Sequence, residues 1–234
     1  MQKKNVLTMA LSVSLVGVIA VGGTLAYLSA TTEEVKNTFT SSASIKMKLD
    51  EAQVVDGEVQ YTDDSKTVEK RVQANTYENI LPGIQYYKDP TVTLEQVPTG
   101  GVYVFARIDG LNPDVEAGYT VSTDLNNQKW KKVETVTLPS EEQYDLYVYV
   151  GEGTEDDNTP TPVDTEKALP DIFQHVTFNF ANDEEDSDSH TVAIDNINVV
   201  AYAVQAEGVI YDNDMPGCAV EMAKTQFATV NFED

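Results

Sequence analysis

Two histidines, one cysteine, one short acidic run and a few aromatics in alternating segments are the residues of this chain whose types suit chemistry. A zinc peptidase needs two or three imidazole or carboxylate ligands converging on an open coordination site, usually from His-Glu-x-x-His on one helical turn. His175 and His190 lie fifteen positions apart in what read as different elements, and neither sits in such a motif. Each is expected to be a packed or surface histidine. Cys218 follows Pro216-Gly217 at the start of a candidate helix, a place that lowers a thiol pKa, but no histidine is near it in sequence. Burial as a small apolar residue is expected, with pairing between molecules as the other option. Asp183-Glu184-Glu185-Asp186-Ser187-Asp188 offers oxygen ligands for Ca²⁺, yet it lacks the sixth-position glycine and the terminal bidentate glutamate of an EF-hand loop. A solvated turn is expected there. Trp130, Tyr147 and Tyr149 would suit a carbohydrate platform, but aromatics in alternating strands pack in cores or across strands. No catalytic, cofactor-binding or metal-ligating residue is therefore assigned, and no cofactor is expected.

The balance of charge excludes further classes. The 234 residues carry 39 acidic and 15 basic side chains, a net charge of −24. Such a surface repels phosphate backbones and anionic lipid, and the lysines are scattered, so no nucleic-acid partner is expected. With 41% apolar residues the chain has enough to bury a core, and one cysteine forbids any intrachain disulfide. Packing must carry the fold.

The elements begin with a leader. Lys3 and Lys4 precede an apolar run from Val6 to Val21, which ends at Gly22-Gly23-Thr24-Leu25-Ala26. A positive start, an apolar stretch and small residues before the cut are what export and signal peptidase require. Cleavage is expected between Ala26 and Tyr27, with a cut after Ala30 as the alternative. If uncut, Val6 to Leu28 is long enough to span a membrane. The division is thus residues 1–26 as signal peptide, 27–43 as an extended mature N-terminus and 44–234 as one folded domain, with membrane contact only before processing.

Period-two segments dominate the rest. Ile45, Met47 and Leu49 fall on one face while Lys46 and Lys48 take the other, the pattern of a half-buried strand. Val102 to Ile108 and Tyr144 to Val150 are apolar on nearly both faces and rich in β-branched and aromatic residues, as central strands are. Ile172 to Phe180 alternates less cleanly, and Thr191 to Val204 suits one bent strand or two meeting near Asp195 and Asn196. Turn chemistry at Pro82-Gly83, Pro98-Thr99-Gly100-Gly101 and Asp109-Gly110 separates these runs. Gly151 to Thr165, acidic and proline-rich, is expected to form a surface loop that buries little. The sum is an all-β, jelly-roll-like β-sandwich with a short C-terminal helix. In that helix Pro216 would occupy the first turn, and Val220, Ala223 and Phe227 would cover an edge or end of the sandwich.

The leader and first strand, Gly22-Gly23-Thr24-Leu25-Ala26-Tyr27-Leu28-Ser29 with Asn37-Thr38-Phe39-Thr40 and the alternating Ile45, Met47 and Leu49, resemble the TasA/camelysin family. These are exported Gram-positive surface and biofilm-matrix proteins processed by a dedicated signal peptidase of the SipW type. Leu81-Pro82-Gly83, Lys88-Asp89-Pro90-Thr91-Val92-Thr93, Val102 to Asp109 and Ala201 to Gly208 resemble segments of relatives bearing the same leader. The resemblance implies the sandwich fold, secretion to the matrix or cell surface, and fibre formation by donation of an N-terminal strand. Residues Tyr27 to Thr40 contain no proline or glycine, so they can lie extended and add to the open sheet edge of a neighbour. Leu28, Val35 and Phe39 are its candidate assembly side chains. A head-to-tail contact of this kind repeats into a filament. The expected partners are further copies of the chain, the signal peptidase and other matrix or surface proteins. Two other functions are carried beside this one: a camelysin-like secreted metallopeptidase, disfavoured by the missing ligand set, and a monomeric surface adhesin or accessory protein that binds another surface component. The alternative to donation is that Tyr27 to Thr40 folds back as its own domain's first strand or stays a frayed terminus.

Overall fold

The computed structural model describes residues 29–31, 44–62, 67–113, 118–151, 159–180, 194–212 and 216–232. In chain order these form β1 (Ser29–Thr31), β2 (Lys46–Ala52), β3 (Val54–Val55), β4 (Glu58–Val59), β5 (Arg71–Val72), β6 (Gln85–Tyr87), β7 (Thr91–Gln96) and β8 (Val102–Asp109). There follow β9 (Tyr119–Thr123), β10 (Trp130–Thr137), β11 (Gln143–Tyr149), β12 (Lys167–Ala168), β13 (His175–Phe180), β14 (Val199–Gln205) and the helix α1 (Ala219–Phe227).

One layer is a five-stranded antiparallel sheet in the order β1-β14-β8-β11-β10. The second layer is a bent ribbon. Between β6 and β7 stands Pro90, which has no N–H to give, yet the pairing continues past it. The Lys88 N–H donates to the Gln174 carbonyl at 2.9 Å, that of Ile172 to Pro90 at 3.0 Å, and that of Leu169 to Val92 at 2.8 Å. β12 and β13 therefore run beside β7 and β6 as one antiparallel pair, with β2 flanking the β7 half and β9 flanking the β13 half. The chain passes from one layer to the other between β7 and β8, β8 and β9, β9 and β10, β11 and β12, and β13 and β14. The result is the all-β, jelly-roll-like sandwich expected from the sequence.

The central strands are apolar on both faces because both are covered. One face of the five-stranded sheet, with Val104, Ala106, Tyr149 and Ala201, packs on Val92, Leu94, Phe173 and Val176 of the second layer. The other face, with Phe105, Leu146, Val148, Val200 and Tyr202, packs under Val220, Ala223 and Phe227 of α1. The helix thus lies across the outer face of the sheet rather than at an edge or end. Its register corrects the sequence reading too. Cys218 is the N-cap, its Sγ accepting the Glu221 N–H at 3.4 Å, so Pro216 precedes the helix instead of sitting in its first turn.

Two further expectations change. Between Ile194 and Gln205 there is one strand, Val199–Gln205, preceded by an irregular segment in which the Asp195 N–H donates to the Tyr119 hydroxyl at 2.9 Å. The end of the Gly151 to Thr165 stretch is not peripheral: Val163 is buried and exchanges backbone hydrogen bonds of 2.9 Å with Val102. Val163 finds its place because β11 pairs with β8 only from Phe105 onward, which leaves that side of Val102 open to it. Residues 152–158 lie outside the described residues.

Candidate functional site

The two edges of the five-stranded sheet are built differently. β10 carries Lys131, Lys132 and Glu134, and its register against β11 shifts between Lys132 and Glu134. A bulge and charged side chains are standard means of blunting an edge against another strand. Two ion pairs hold these charges in place, Lys132 to the buried Asp145 at 2.8 Å and Glu134 to Lys224 of α1 at 2.7 Å. At the other edge β14, Val-Val-Ala-Tyr-Ala-Val-Gln, has no charge and no bulge over seven residues. Its outer side receives β1, with Ser29 opposite Val204, Ala30 opposite Ala203 and Thr31 opposite Tyr202. Ser29, Ala30 and Thr31 therefore lie along the uncharged strand β14 of their own chain. Ala26, Tyr27, Leu28, Val35 and Phe39 fall outside the described residues.

Other chemistry-bearing side chains sit in structural roles. His175 opens β13, with Nδ1 2.7 Å from Asp124 Oδ2 and its ring edge-on to Tyr87. Asp124 Oδ1 accepts the backbone N–H groups of Gln174 and His175 at 2.8 and 2.7 Å. Burial pushes the Asp124 carboxyl up, but these bonds together with that from the imidazole hold it below the usual range. Among the described residues no group of three histidine, cysteine or acidic side chains is placed to hold a metal. His190 and the acidic run Asp183 to Asp188 lie outside them. Cys218 is buried in the cluster under α1. Trp130, Tyr147 and Tyr149 are core residues, Trp130 donating Nε1–H to the Pro170 carbonyl at 2.9 Å and meeting Tyr149 edge-on. A carbohydrate platform at these three is overturned by their burial.

A cavity of about 510 Å³ opens at the end of the sandwich where β2 finishes and β14 begins. One wall is apolar, with Ile80, Tyr86, Phe178 and Ile197; the other bears Asp50, Glu51, Asn75 and Lys88. Arg71 bonds Asp50, and reaches Asp89 at 3.0 Å, while the Asp89 Oδ1 accepts the Ala52 N–H at 2.6 Å. Lys88 pairs with Glu51 at 2.8 Å, and Glu51 also accepts from Asn75 at 2.9 Å. Burial raises the Tyr77 and Tyr87 hydroxyls well above their ordinary range, with nearby Glu51 and Asp89 adding to the effect at Tyr77.

Comparisons with protein-family models, curated proteins and solved structures give no match. An extended N-terminal segment is legible in the sequence, but the edge beside it is not. The signal was present in the seven uncharged residues of β14, whose place at a sheet edge no local pattern reveals. The polar wall of the cavity is not legible in sequence, because its members come from three separated segments.

No helix among the described residues is long and apolar enough to cross a membrane. The leader itself, residues 1–26, lies outside them.

Proposed function

We propose that the chain is an exported structural subunit of an extracellular matrix or cell-surface fibre, assembling head-to-tail by N-terminal strand addition after its leader is removed. The observation that carries this reading is the pairing of Ser29–Thr31 with the uncharged edge of β14. An edge without charge, bulge or proline is the kind that accepts another strand, and natural proteins seldom leave one unmanaged. In a single chain the mature N-terminus covers it in cis. Taken from a neighbour, the same segment makes the same backbone bonds in trans, and an exchange of equivalent bonds costs little beyond ordering the linker. Leader cleavage frees the segment to exchange. The resemblance of the leader and first strand to the TasA/camelysin family supports the same reading.

A second reading, a self-covered monomeric surface protein, is favoured by that same cis pairing. Electron microscopy of the chain Tyr27 to Asp234, compared with one starting after Thr40, separates the two. The subunit reading expects filaments from the first and none from the second. Equal fibre formation by both would remove the segment from assembly, and a stable monomer in both would favour the second reading.

A further inference from the structure

Independently of assembly, we infer that Lys88 and Asn75 form an intramolecular isopeptide bond, with Glu51 as the acid–base catalyst. The three side chains meet on one wall of the cavity. The Lys88 ammonium lies 2.8 Å from Glu51 Oε2, and the Asn75 Nδ2 donates to Glu51 Oε1 at 2.9 Å. An amine and a carboxamide thus rest on the two oxygens of one carboxylate. The Glu51 side chain is 4% exposed and that of Lys88 17%. Asn75 is fixed as well: its Oδ1 accepts the Val54 N–H at 2.8 Å and its Nδ2 also donates to the Ala52 carbonyl at 2.8 Å.

Each part has a role in amide exchange. A lysine attacks only as the neutral amine, and Glu51 Oε2, 2.8 Å from Nζ, is placed to take its proton as general base. The Lys88 Nζ lone pair then adds to Asn75 Cγ. Negative charge develops on Oδ1, where the Val54 N–H already points, so that backbone donor serves as a one-group oxyanion hole. Nζ passes a second proton through Glu51 to Nδ2, the Cγ–Nδ2 bond breaks, and ammonia leaves, taking the proton Glu51 first held to depart as ammonium. The products are an Nζ–Cγ amide, one ammonium ion and the Glu51 carboxylate. No oxidant, reductant or water is consumed. The product retains the Oδ1 acceptor for Val54 and one N–H for Glu51 or Ala52. A chain with a single cysteine thereby gains a covalent staple between the segment after β5 and the ribbon joining β6 to β7.

Mass spectrometry of the purified full chain, with its N-terminus determined, tests this. The expected intact mass is lighter than the sequence by one ammonia, and digestion yields a branched peptide joining positions 75 and 88. In Glu51→Gln and in Lys88→Arg the mass returns to that of the sequence. Linear peptides carrying unmodified Asn75 and Lys88 from the folded wild-type chain would overturn the inference. So would an ammonia loss that persists in Lys88→Arg, which would mark cyclisation at an asparagine instead. Because the wild-type measurement decides by itself, a variant that fails to fold leaves the test intact.

Discussion

Arg107 is the side chain on which the two sides of the sheet depend. It is 2% exposed within β8, and its guanidinium makes a forked contact with Asp109 at 2.8 and 2.6 Å. It also donates at 2.6 Å to the Phe227 carbonyl, one of the acceptors a helix end leaves over, and at 3.2 Å to the Val230 carbonyl just beyond the helix. Tyr144 and Phe232 stack on it. A planar fork suits this set of acceptors and an ammonium does not. Arg107→Met should therefore cost about 3–5 kcal/mol in urea unfolding, because the half-buried Asp109 carboxylate and the Phe227 and Val230 carbonyls lose their shared cation. Arg107→Lys should recover only part of that. At Asp124 the expected effect is on pH. Its folded pKa lies below the ordinary 3.8, so the unfolded chain binds the proton more tightly. The stability it adds is complete above the ordinary value and is lost as pH falls through the lowered one. The gap in thermal midpoint between wild type and Asp124→Asn should be widest near neutrality and close at pH values below 3.8. A constant gap would mean that the His175 contact acts by packing alone.

At the scale of elements, α1 is short and its worth lies in what it covers. Nine residues make a marginal helix in water, so tertiary packing must hold it. Phe227 is fully buried against Tyr144 and Tyr202, both edge-on. Phe227→Ala should cost roughly 3–5 kcal/mol and raise the binding of a dye specific for exposed apolar surface. The same reasoning explains which strands could be read from sequence. β8 and β11 announce themselves because layers on both sides demand apolar residues on both faces. In β10 the alternation breaks at Val133, where the register against β11 shifts between Lys132 and Glu134. β12 and β13 form one ribbon with β6 and β7, although Pro90 and Pro170 break the run in sequence. That continuity rests on backbone bonds between distant segments, which no window of residues contains.

For the whole molecule, charge opposes assembly. Under the proposed removal of residues 1–26, loss of Lys3 and Lys4 would take the net charge from −24 to −26. Copies so charged repel one another over about a Debye length, ~10 Å at 0.1 M salt. Acid or divalent cations should therefore promote association of the mature chain, seen as rising light scattering at fixed protein concentration. Scattering indifferent to pH and to Ca²⁺ would show that surface charge does not set the barrier. An edge contact made mostly by backbone groups fits such a surface, since it requires no complementary patch on so acidic a protein.

The order of residues by itself determined the acidic charge, the dependence on packing rather than disulfides, the sandwich class and the apolar stripe of the C-terminal helix. All of these follow from composition and short-range period, which are local properties. Only the tertiary structure decided that α1 lies across the outer face of a sheet, that β10 forms one edge of that sheet while β1 covers β14 at the other, and that Glu51, Asn75 and Lys88 share one cavity wall. The physical reason is that an edge, a covered face and a shared wall are relations between segments far apart in the chain. Long-range pairing and burial fix them, and no residue carries the sign of its eventual neighbour.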